Sequence, residues 1–419
     1  MTPTTQFHQD TFMAAFAYLF ERFPSFTQTF CYREVAEMRR LGCDAPVYSI
    51  RKPGDIPGDC PAAIASDVRY LPEPAMLGSE MKTLRMLAKY PWPVIWQIRT
   101  WGKRPSKARL IEAAWLGPRL RRLGITHVHA HFAGIAARTA WWLKKFYGIS
   151  FSFTGHANDM FCEPGQQVSL GDLVREAAFV VAVSDFSRDW ICRKVPGHEE
   201  KIHRIYNGMG IPAAPAAAPH AGKPRIVSVG RYVEKKGFAD LIDACAILRG
   251  RGLEFECAII GGGPLEDTLG ARIREFGLRD CVKLTGPLPQ EEVRRQLASA
   301  TLFVLPCVTE HDGGMDTLPT VIVEAMAAGL PVVSTRLAAI PEMVGHGTTG
   351  LLVDEKQPGP LARAMADIMG NPLLARRLGT EGHRVARERF ASTAAATKLK
   401  TLLEHARSAE PVKRAAPCE

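Results

Sequence analysis

The sequence lacks several patterns that mark common protein classes. No apolar run reaches the roughly eighteen residues of a membrane-spanning helix. The apolar stretch 13–20 is short and follows Asp10 rather than a basic region, so it predicts a buried first strand and not a signal peptide. The 10 cysteines are scattered singly from Cys31 to Cys418 without a CxxC pair, which argues against a zinc site and a disulfide framework and for a reducing cytoplasm. No repeat of solenoid or propeller length occurs.

Positive charge is in excess, with a formal net charge of +10. A nucleic-acid partner would require a recognisable binding module, and none accompanies the charge, so we expect no nucleic acid. The basic residues concentrate in residues 82–122, where they alternate with four tryptophans, Trp92, Trp96, Trp101 and Trp115. Either these tryptophans are core residues beneath a solvated basic face, or the segment binds an anionic membrane surface. We therefore expect a cytoplasmic protein, with peripheral attachment to the inner membrane as the open alternative.

Short apolar runs alternate with helical patterns in both halves of the chain, which is typical of parallel sheets wound with helices. Residues 212–224 are rich in proline and alanine and have no period, so they predict a linker. Two such domains would place a cleft between the carboxyl ends of their sheets, where ligands bind. The predicted divisions are a first domain 1–211, the linker 212–224, a second domain 225–390, a helix 391–407 that packs back on the first domain, and a loose tail 408–419.

The strongest motif spans residues 316–333, at the start of a predicted helix. Pro319 stands where a helix start tolerates proline, and the free N–H groups of the first turn near Thr320 suit a diphosphate. Asp316 precedes this turn and Glu324 lies about one turn inside the helix. A diphosphate would repel carboxylates, so we expect both to accept hydrogen bonds from sugar hydroxyls. The alternative is a capped surface helix.

A second motif, residues 230–237, directly follows a predicted strand. Gly230 allows a sharp turn, while Arg231 and Lys236 can reach a diphosphate, the first bidentately and the second as a point charge. A glycine-rich turn at residues 261–264 suggests a nicotinamide dehydrogenase. The third glycine that such a site requires is missing, so a dinucleotide site is excluded.

Histidines form the third group of candidates. His127, His129 and His131 alternate along one predicted strand and so share a face. A zinc site usually recruits a ligand from elsewhere, so we expect a mixture of core packing and cleft lining, and no metal. His156 instead follows a strand, on a loop with Asn158 and Asp159. Loops at that edge carry function, although a structural histidine is the alternative.

Taken together, these residues resemble the retaining GT-B glycosyltransferases of family four in the carbohydrate-enzyme classification. The resemblance covers nearly the whole chain and rests on the loop 230–237, the acidic pair, and the sequence EAMAAGLPVV at 324–333. Residues 23–30, 127–132 and 153–161 further resemble the branch that builds exopolysaccharide and colanic-acid repeat units. The family implies two Rossmann-like domains facing across a cleft, with the acceptor on the first domain and the nucleotide-sugar on the second.

The resemblance also implies how the nucleotide is held. Arg231 and Lys236, on the loop that Gly230 opens, would bind the donor diphosphate and stabilise charge on the departing nucleotide. Glu324 would bind the ribose hydroxyls. Members of the family usually need no metal, so no cofactor is expected beside the donor substrate.

The remaining implied roles concern the donor sugar and the base. Asp316 would contact the sugar hydroxyls, with amides near Leu318 and Thr320 assisting. His156 would sit beside the donor sugar, and Leu288 would border the nucleobase.

The implied activity is transfer of a hexosyl group, with retention, to a saccharide or a polyprenyl-linked saccharide. Two positions depart from the family pattern: Asp316 stands where glutamate is usual, and residues 22–25 replace a glycine-rich turn. The alternatives are a catalytically inactive GT-B scaffold that binds a glycan or a partner, and another GT-B enzyme such as a nucleotide-sugar epimerase. A sugar phosphorylase would carry a cofactor lysine, for which the sequence offers no support.

Overall fold

The computed structural model describes residues 16–25, 28–73, 76–77, 107–156, 160, 168–216 and 222–408. Within them the chain forms two parallel sheets, each flanked by helices. The predicted architecture of two parallel α/β units is therefore confirmed. Asn158, Asp159 and most of the basic segment 82–122 lie outside the described residues.

Seven strands build the first sheet: β1 (Phe16–Arg22), β2 (Val47–Arg51), β3 (Arg69–Tyr70), β4 (His127–His131), β5 (Ser150–Gly155), β6 (Val180–Ala182) and β7 (Ile202–Arg204). Its helices are α1 (Thr29–Arg40), α2 (Ala62–Ala65), α3 (Lys107–Arg122), α4 (Ile135–Tyr147), α5 (Leu170–Glu176) and α6 (Asp185–Lys194). The strands lie in the order β3-β2-β1-β4-β5-β6-β7 and every neighbouring pair is parallel.

Six strands build the second sheet: β8 (Arg225–Val229), β9 (Glu256–Ile260), β10 (Val282–Leu284), β11 (Leu302–Leu305), β12 (Val332–Thr335) and β13 (Gly350–Val353). Its helices are α7 (Phe238–Gly250), α8 (Glu266–Glu275), α9 (Gln290–Ala298), α10 (Thr320–Ala328), α11 (Ile340–Met343), α12 (Pro358–Met369) and α13 (Pro372–Arg389). The order is β10-β9-β8-β11-β12-β13, again parallel throughout. The last helix, α14 (Ser392–Ser408), follows this sheet in sequence.

Both sheets have the doubly wound order, in which the winding reverses between the first and fourth strands of each sheet. These reversals fall between β1 and β4 and between β8 and β11. Loops diverge from the carboxyl ends of the strands at such a point and leave a crevice there, which is where ligands of this architecture bind. The central strands are buried on both faces, as the fully buried β11 shows, which explains the uninterrupted apolar runs of the sequence.

Helix α14 packs against α1 of the first sheet, although it follows the second sheet in sequence. Its Ala396, Leu399 and Leu403 are buried in the same apolar cluster as Val35 and Met38 of α1. The interface also contains polar contacts, including a hydrogen bond of 3.0 Å from the Lys400 ammonium to the Leu41 carbonyl oxygen. The C-terminal helix thus completes the core of the N-terminal half.

A second contact between the two halves lies at the start of α6. The carboxylate of Glu342, from α11, accepts hydrogen bonds from the backbone N–H groups of Asp185 (2.8 Å) and Phe186 (2.7 Å). The hydroxyl of Tyr206 donates to the same carboxylate at 3.1 Å. A helix N-terminus attracts negative charge, so this carboxylate caps a helix of the other half.

The described part of the basic segment is helix α3. Leu110, Leu116 and Leu120 are fully buried, and the guanidinium of Arg119 stacks 3.6 Å from the ring centroid of Trp115. Trp115 packs against the core of the first sheet. For this tryptophan, the structure agrees with the interpretation that the tryptophans of the segment are core residues. Among the described residues, no helix is long and apolar enough to span a bilayer.

Candidate active site

A cavity of about 890 Å³ opens between the two halves, within the size range of small-molecule sites. Loops that follow β4 and β5 form one wall, and loops that follow β8, β9, β10 and β11 form the other. The structure brings every candidate residue of the sequence analysis to this cavity: His156, Gly230, Arg231, Lys236, Leu288, Asp316, Leu318, Thr320 and Glu324.

Close backbone packing shapes the loop that carries the cations. Gly261, with φ of 148°, lies against the Gly230 carbonyl oxygen, and a Cβ at position 261 would stand 1.9 Å from that oxygen. Gly237, with φ of 67°, approaches the carbonyl oxygen of Pro306 in the same way, at 1.8 Å from an added Cβ. Only glycine fits such contacts. At Gly263, with φ of 155°, an added Cβ would likewise stand 2.8 Å from the Tyr232 carbonyl oxygen, so Gly261 and Gly263 serve loop packing, which accounts for a glycine-rich turn without a dinucleotide site.

Two lysines and one aspartate form an ionic cluster on this wall. The Lys236 ammonium lies 2.5 Å from Asp316 Oδ2, and the Lys235 ammonium lies 3.3 Å from Asp316 Oδ1. Burial raises the pKa of Asp316, but the two ammonium groups outweigh it and the net pKa is lowered. Burial likewise lowers the pKa of Lys236, but the charge of Asp316, the hydrogen bond to it and the neighbouring Cys307 together outweigh burial, and the net pKa is raised. Asp316 and Lys236 are thus both charged at neutral pH.

Lys235 was not predicted as a site residue, although it adjoins Lys236 in the same motif. Both lysines lie in the three-residue 3₁₀ turn Glu234–Lys236, and both of their ammonium groups reach the Asp316 carboxylate. The sequence alone does not show this shared contact. Arg231 is exposed beside them, and among the described residues its side chain makes no ion pair. The cavity thus holds three cations against the carboxylates of Asp316 and Glu324.

The N-terminus of α10 faces the same region. Pro319 is its N-cap residue, the first turn holds no acidic side chain, and Thr320 and Val321 line the cavity. The unpaired N–H groups and the dipole of a helix start attract anions. Cations and a helix N-terminus together form a site for a multiply charged anion.

Glu324 connects the two walls. Its Oε1 lies 3.4 Å from a guanidinium nitrogen of Arg33 on α1, and its Oε2 accepts a hydrogen bond of 3.3 Å from the Gln290 amide. Neither partner was predicted from the sequence, because Arg33 stands 291 residues and Gln290 34 residues away from Glu324. No local pattern identifies such a contact.

His156 forms part of the opposite wall and is only 7% exposed. The rings of Phe30 and Phe132 pack against it, with centroids 4.6 and 4.3 Å away. Its Nε2 lies 3.3 Å from Nδ1 of His131. Burial first, and the charge of His131 second, lower the pKa of His156 well below 6.5, so His156 is neutral at pH 7.

The three histidines of β4 are all fully buried. The core-packing part of the expectation is therefore confirmed, and the cleft-lining part is wrong for these residues. Strand pairing explains the outcome, because His127 and His129 stand opposite Ser150 and Ser152 of β5. Hydrogen bonds of 2.7–3.0 Å to the hydroxyls of β5 engage both nitrogens of each of these two rings.

Among the described residues, one group could hold a metal ion: Glu34, His129 and His131, whose ligand atoms lie within 4.8 Å of one another. Both nitrogens of His129 already bond to hydroxyl groups, and His131 Nε2 lies 3.0 Å from Glu34 Oε1. A metal would have to displace these bonds. The geometry therefore fits a hydrogen-bonded network better than an ion site.

Comparison with known proteins gives two family matches that together cover most of the chain. Residues 27–210 match the model described as Glycosyltransferase Family 4, and residues 213–385 match that described as Glycosyl transferases group 1. A colanic acid biosynthesis glycosyltransferase of Escherichia coli is 31% identical over 374 residues, which cover 82% of this chain and 88% of that protein. An amylovoran biosynthesis glycosyltransferase of Erwinia amylovora is 48% identical over 138 residues, 33% of this chain and 34% of its own.

Solved structures show the same fold. The Anabaena protein HepE, solved in complex with UDP, superimposes with a TM-score of 0.71 at 18% identity, over 93% of this chain and 100% of that chain. The sucrose-phosphate synthase of Thermosynechococcus elongatus gives 0.69 at 16% identity, over 94% and 100%. The predicted GT-B fold is thus confirmed. The chain belongs to glycosyltransferase family 4 and is a glycosyltransferase with relatives in exopolysaccharide biosynthesis.

Proposed function

We propose that this glycosyltransferase moves a hexosyl group, with retention, from a nucleotide-diphosphate sugar to a saccharide or polyprenyl-linked saccharide in exopolysaccharide assembly. The observation that carries the donor class is the anion site, in which Arg231, Lys235 and Lys236 surround the start of α10. A diphosphate matches both the cations and the free backbone N–H groups.

The cavity residues suggest a division of labour along the donor. Arg231 and Lys236 bind the diphosphate and stabilise the charge that grows on it as the glycosidic bond breaks. Glu324, which lines the cavity from within α10, binds the ribose hydroxyls. Leu288 lines the same cavity and borders the base.

The reacting sugar would lie between the two walls. Asp316, with the amides near Leu318 and Thr320, contacts its hydroxyl groups from one wall, and His156 contacts it from the other. With retention, the acceptor hydroxyl attacks the face from which the nucleotide departs, and the leaving phosphate takes the proton. Since protein cations already neutralise the diphosphate, the reaction requires no metal in this proposal.

The acceptor binds on the side of the first sheet. A polyprenyl-linked acceptor would bring the enzyme to the cytoplasmic face of the inner membrane, and the cations and tryptophans of residues 82–122 support this location. The cytoplasmic site and the peripheral attachment are part of the proposal.

Nucleotide binding and turnover test the proposal separately. A thermal-shift screen of UDP, GDP, ADP and CDP should show stabilisation by one or two of them, because a ligand of the native state raises the melting temperature. Sugars carrying the stabilising nucleotide are then incubated with the enzyme, with and without lipid-extracted acceptors, and nucleotide release is measured. Release that depends on the acceptor is expected. Conversion of the donor sugar without acceptor would identify an epimerase, and binding without release would identify an inactive scaffold.

A further inference from the structure

A row of hydrogen-bonding groups runs from helix α1 through the core to His156. Glu34 Oε1 accepts a hydrogen bond of 3.1 Å from the Tyr18 hydroxyl and lies 3.0 Å from His131 Nε2. The other nitrogen of that ring, His131 Nδ1, lies 3.3 Å from His156 Nε2. Of these four residues, only His156 lines the active-site cavity. Glu34 and His131 therefore lie behind the wall and can act on the substrate only through His156.

The chemistry of these groups fixes where the protons lie. An ionised carboxylate can only accept hydrogen bonds, so His131 Nε2 carries a proton directed at Glu34. His131 is buried, and its Nε2 faces the Glu34 carboxylate at 3.0 Å. The neutral ring protonated on Nε2 has a bare Nδ1, which can only accept a hydrogen bond from its partner. The Nε2 of His156 is then the donor.

A neighbouring thiol supports this assignment. Cys31 Sγ lies 3.6 Å from the same His131 Nδ1. Burial first, and the charge of Glu34 second, raise the pKa of Cys31 well above 9, so the group is a thiol and can donate S–H. A bare Nδ1 can accept from the Cys31 thiol, whereas a protonated Nδ1 would meet the thiol only through its sulfur, which is a weak acceptor.

We propose that Glu34 and His131 are positioning residues, which hold His156 as the Nε2–H tautomer in one ring orientation at the cavity wall. The inference rests on the proposed function in one respect, namely that His156 lies beside the donor sugar. The rings of Phe30 and Phe132 pack against the imidazole, with interplanar angles of 34° and 39°. Phe132 adopts a left-handed backbone, with φ of 68°, an arrangement that costs energy and is concentrated at functional sites.

Two variants separate positioning from packing. Glu34→Gln keeps size and removes charge, and its amide can present either an oxygen or an NH₂ group to His131, so the tautomer preference is lost. His131→Phe keeps a flat ring where His131 stacks on Phe20, with centroids 4.9 Å apart, and removes both nitrogens. The matched control is Glu37→Gln, the same change one turn along α1, where Glu37 contacts Arg40 outside the network.

Kinetics are the first readout. We expect Glu34→Gln and His131→Phe to lower kcat on the order of tenfold to a hundredfold, since misplacement of a contact group by about 1 Å has effects of this size. UDP or GDP affinity should stay within about twofold, because the anion site is untouched, and Glu37→Gln should match the wild type in both measurements. Unchanged kcat in both folded network variants would overturn the proposal.

Nuclear magnetic resonance of protein labelled with ¹⁵N-histidine is the second readout, with His156→Gln used to assign the signal. The wild type should show His156 protonated on Nε2, and Glu34→Gln should show a mixture of tautomers. A wild-type His156 protonated on Nδ1 refutes the assignment whether or not the protein transfers sugar, so this result is distinct from a failure of the proposed function. Stoichiometric zinc in the purified protein, lost in His131→Phe, would also overturn the proposal, because His131 would then be a ligand.

Discussion

Replacing Lys236 with alanine is the sharpest test of the anion site. The ammonium lies in the cavity wall with Arg231, where the proposed reaction places the negative charge that grows on the departing diphosphate. Removal of one preorganised charge or donor of this kind typically costs about 3 kcal/mol in the transition state. That corresponds to a fall of about two decades in kcat.

The same structure predicts that Lys236→Ala remains folded. Asp316 loses its contact of 2.5 Å but keeps the Lys235 ammonium at 3.3 Å, so no buried carboxylate is left unpaired. The double variant Lys235→Ala/Lys236→Ala removes both partners from a carboxylate whose side chain is only 17% exposed. Breaking a buried pair in this way costs about 3–5 kcal/mol, so the double variant should unfold at clearly lower urea concentrations.

The assay is acceptor-dependent nucleotide release, measured on the same preparations as urea unfolding and UDP or GDP affinity. Lys235→Ala is the matched control, because it removes the same charge from the same aspartate while Lys236 stays in place. We expect a smaller loss of kcat from Lys235→Ala than from Lys236→Ala. A folded Lys236→Ala protein that turns over at the wild-type rate would exclude Lys236 from the mechanism.

Four further predictions follow from the same structure. Asp316→Glu should keep substantial activity because the charge is retained, whereas Asp316→Ala should lose about one to two decades in turnover and still bind nucleotide; normal turnover of the alanine variant would refute the donor contact. Burial lowers the pKa of His127 to about 3 and that of His129 well below 6.5, so the unfolded chain binds more protons below pH 6.5. Stability should therefore fall as the pH drops from 6.5 to 5, with a slope that approaches about 1.4 kcal/mol per pH unit for each histidine near pH 5, and equal urea midpoints at both pH values would contradict this. Activity should survive exhaustive chelation, and loss that a divalent ion restores would indicate a metal site. The protein should float with anionic vesicles at low salt and detach as salt rises, since residues 82–122 are basic; no flotation at low salt would refute membrane attachment.

Much of the architecture follows from the sequence alone, for a physical reason. In a doubly wound parallel sheet, every loop after a strand emerges at the same edge, so motifs at strand ends must converge. Arg231, after β8, and Asp316, after β11, are 85 positions apart in numbering, yet both line one cavity. The alternation of strands and helices in the sequence was therefore enough to predict that these two residues lie near each other.

Contacts across the cleft could not be predicted in this way. Arg33 reaches Glu324 only because α1 of one half stands opposite α10 of the other. The link between Glu34 and His131 depends on which face of α1 meets the sheet, which the sequence pattern of one helix does not specify. The burial of the β4 histidines depended on hydroxyl partners on β5, which a single strand does not reveal.

The docking of α14 onto α1 has a consequence for synthesis on the ribosome. Chains grow from the N-terminus at about 5–20 residues per second, and early domains generally fold first. Here the apolar cluster that contains Val35 and Met38 of α1 also contains Leu399 and Leu403, from a helix that begins only at Ser392. The nascent N-terminal half therefore lacks part of its core until the second half has been made. Apolar surface that a chaperone can bind during this interval, and loss of stability when α14 is truncated, follow from the order of the elements.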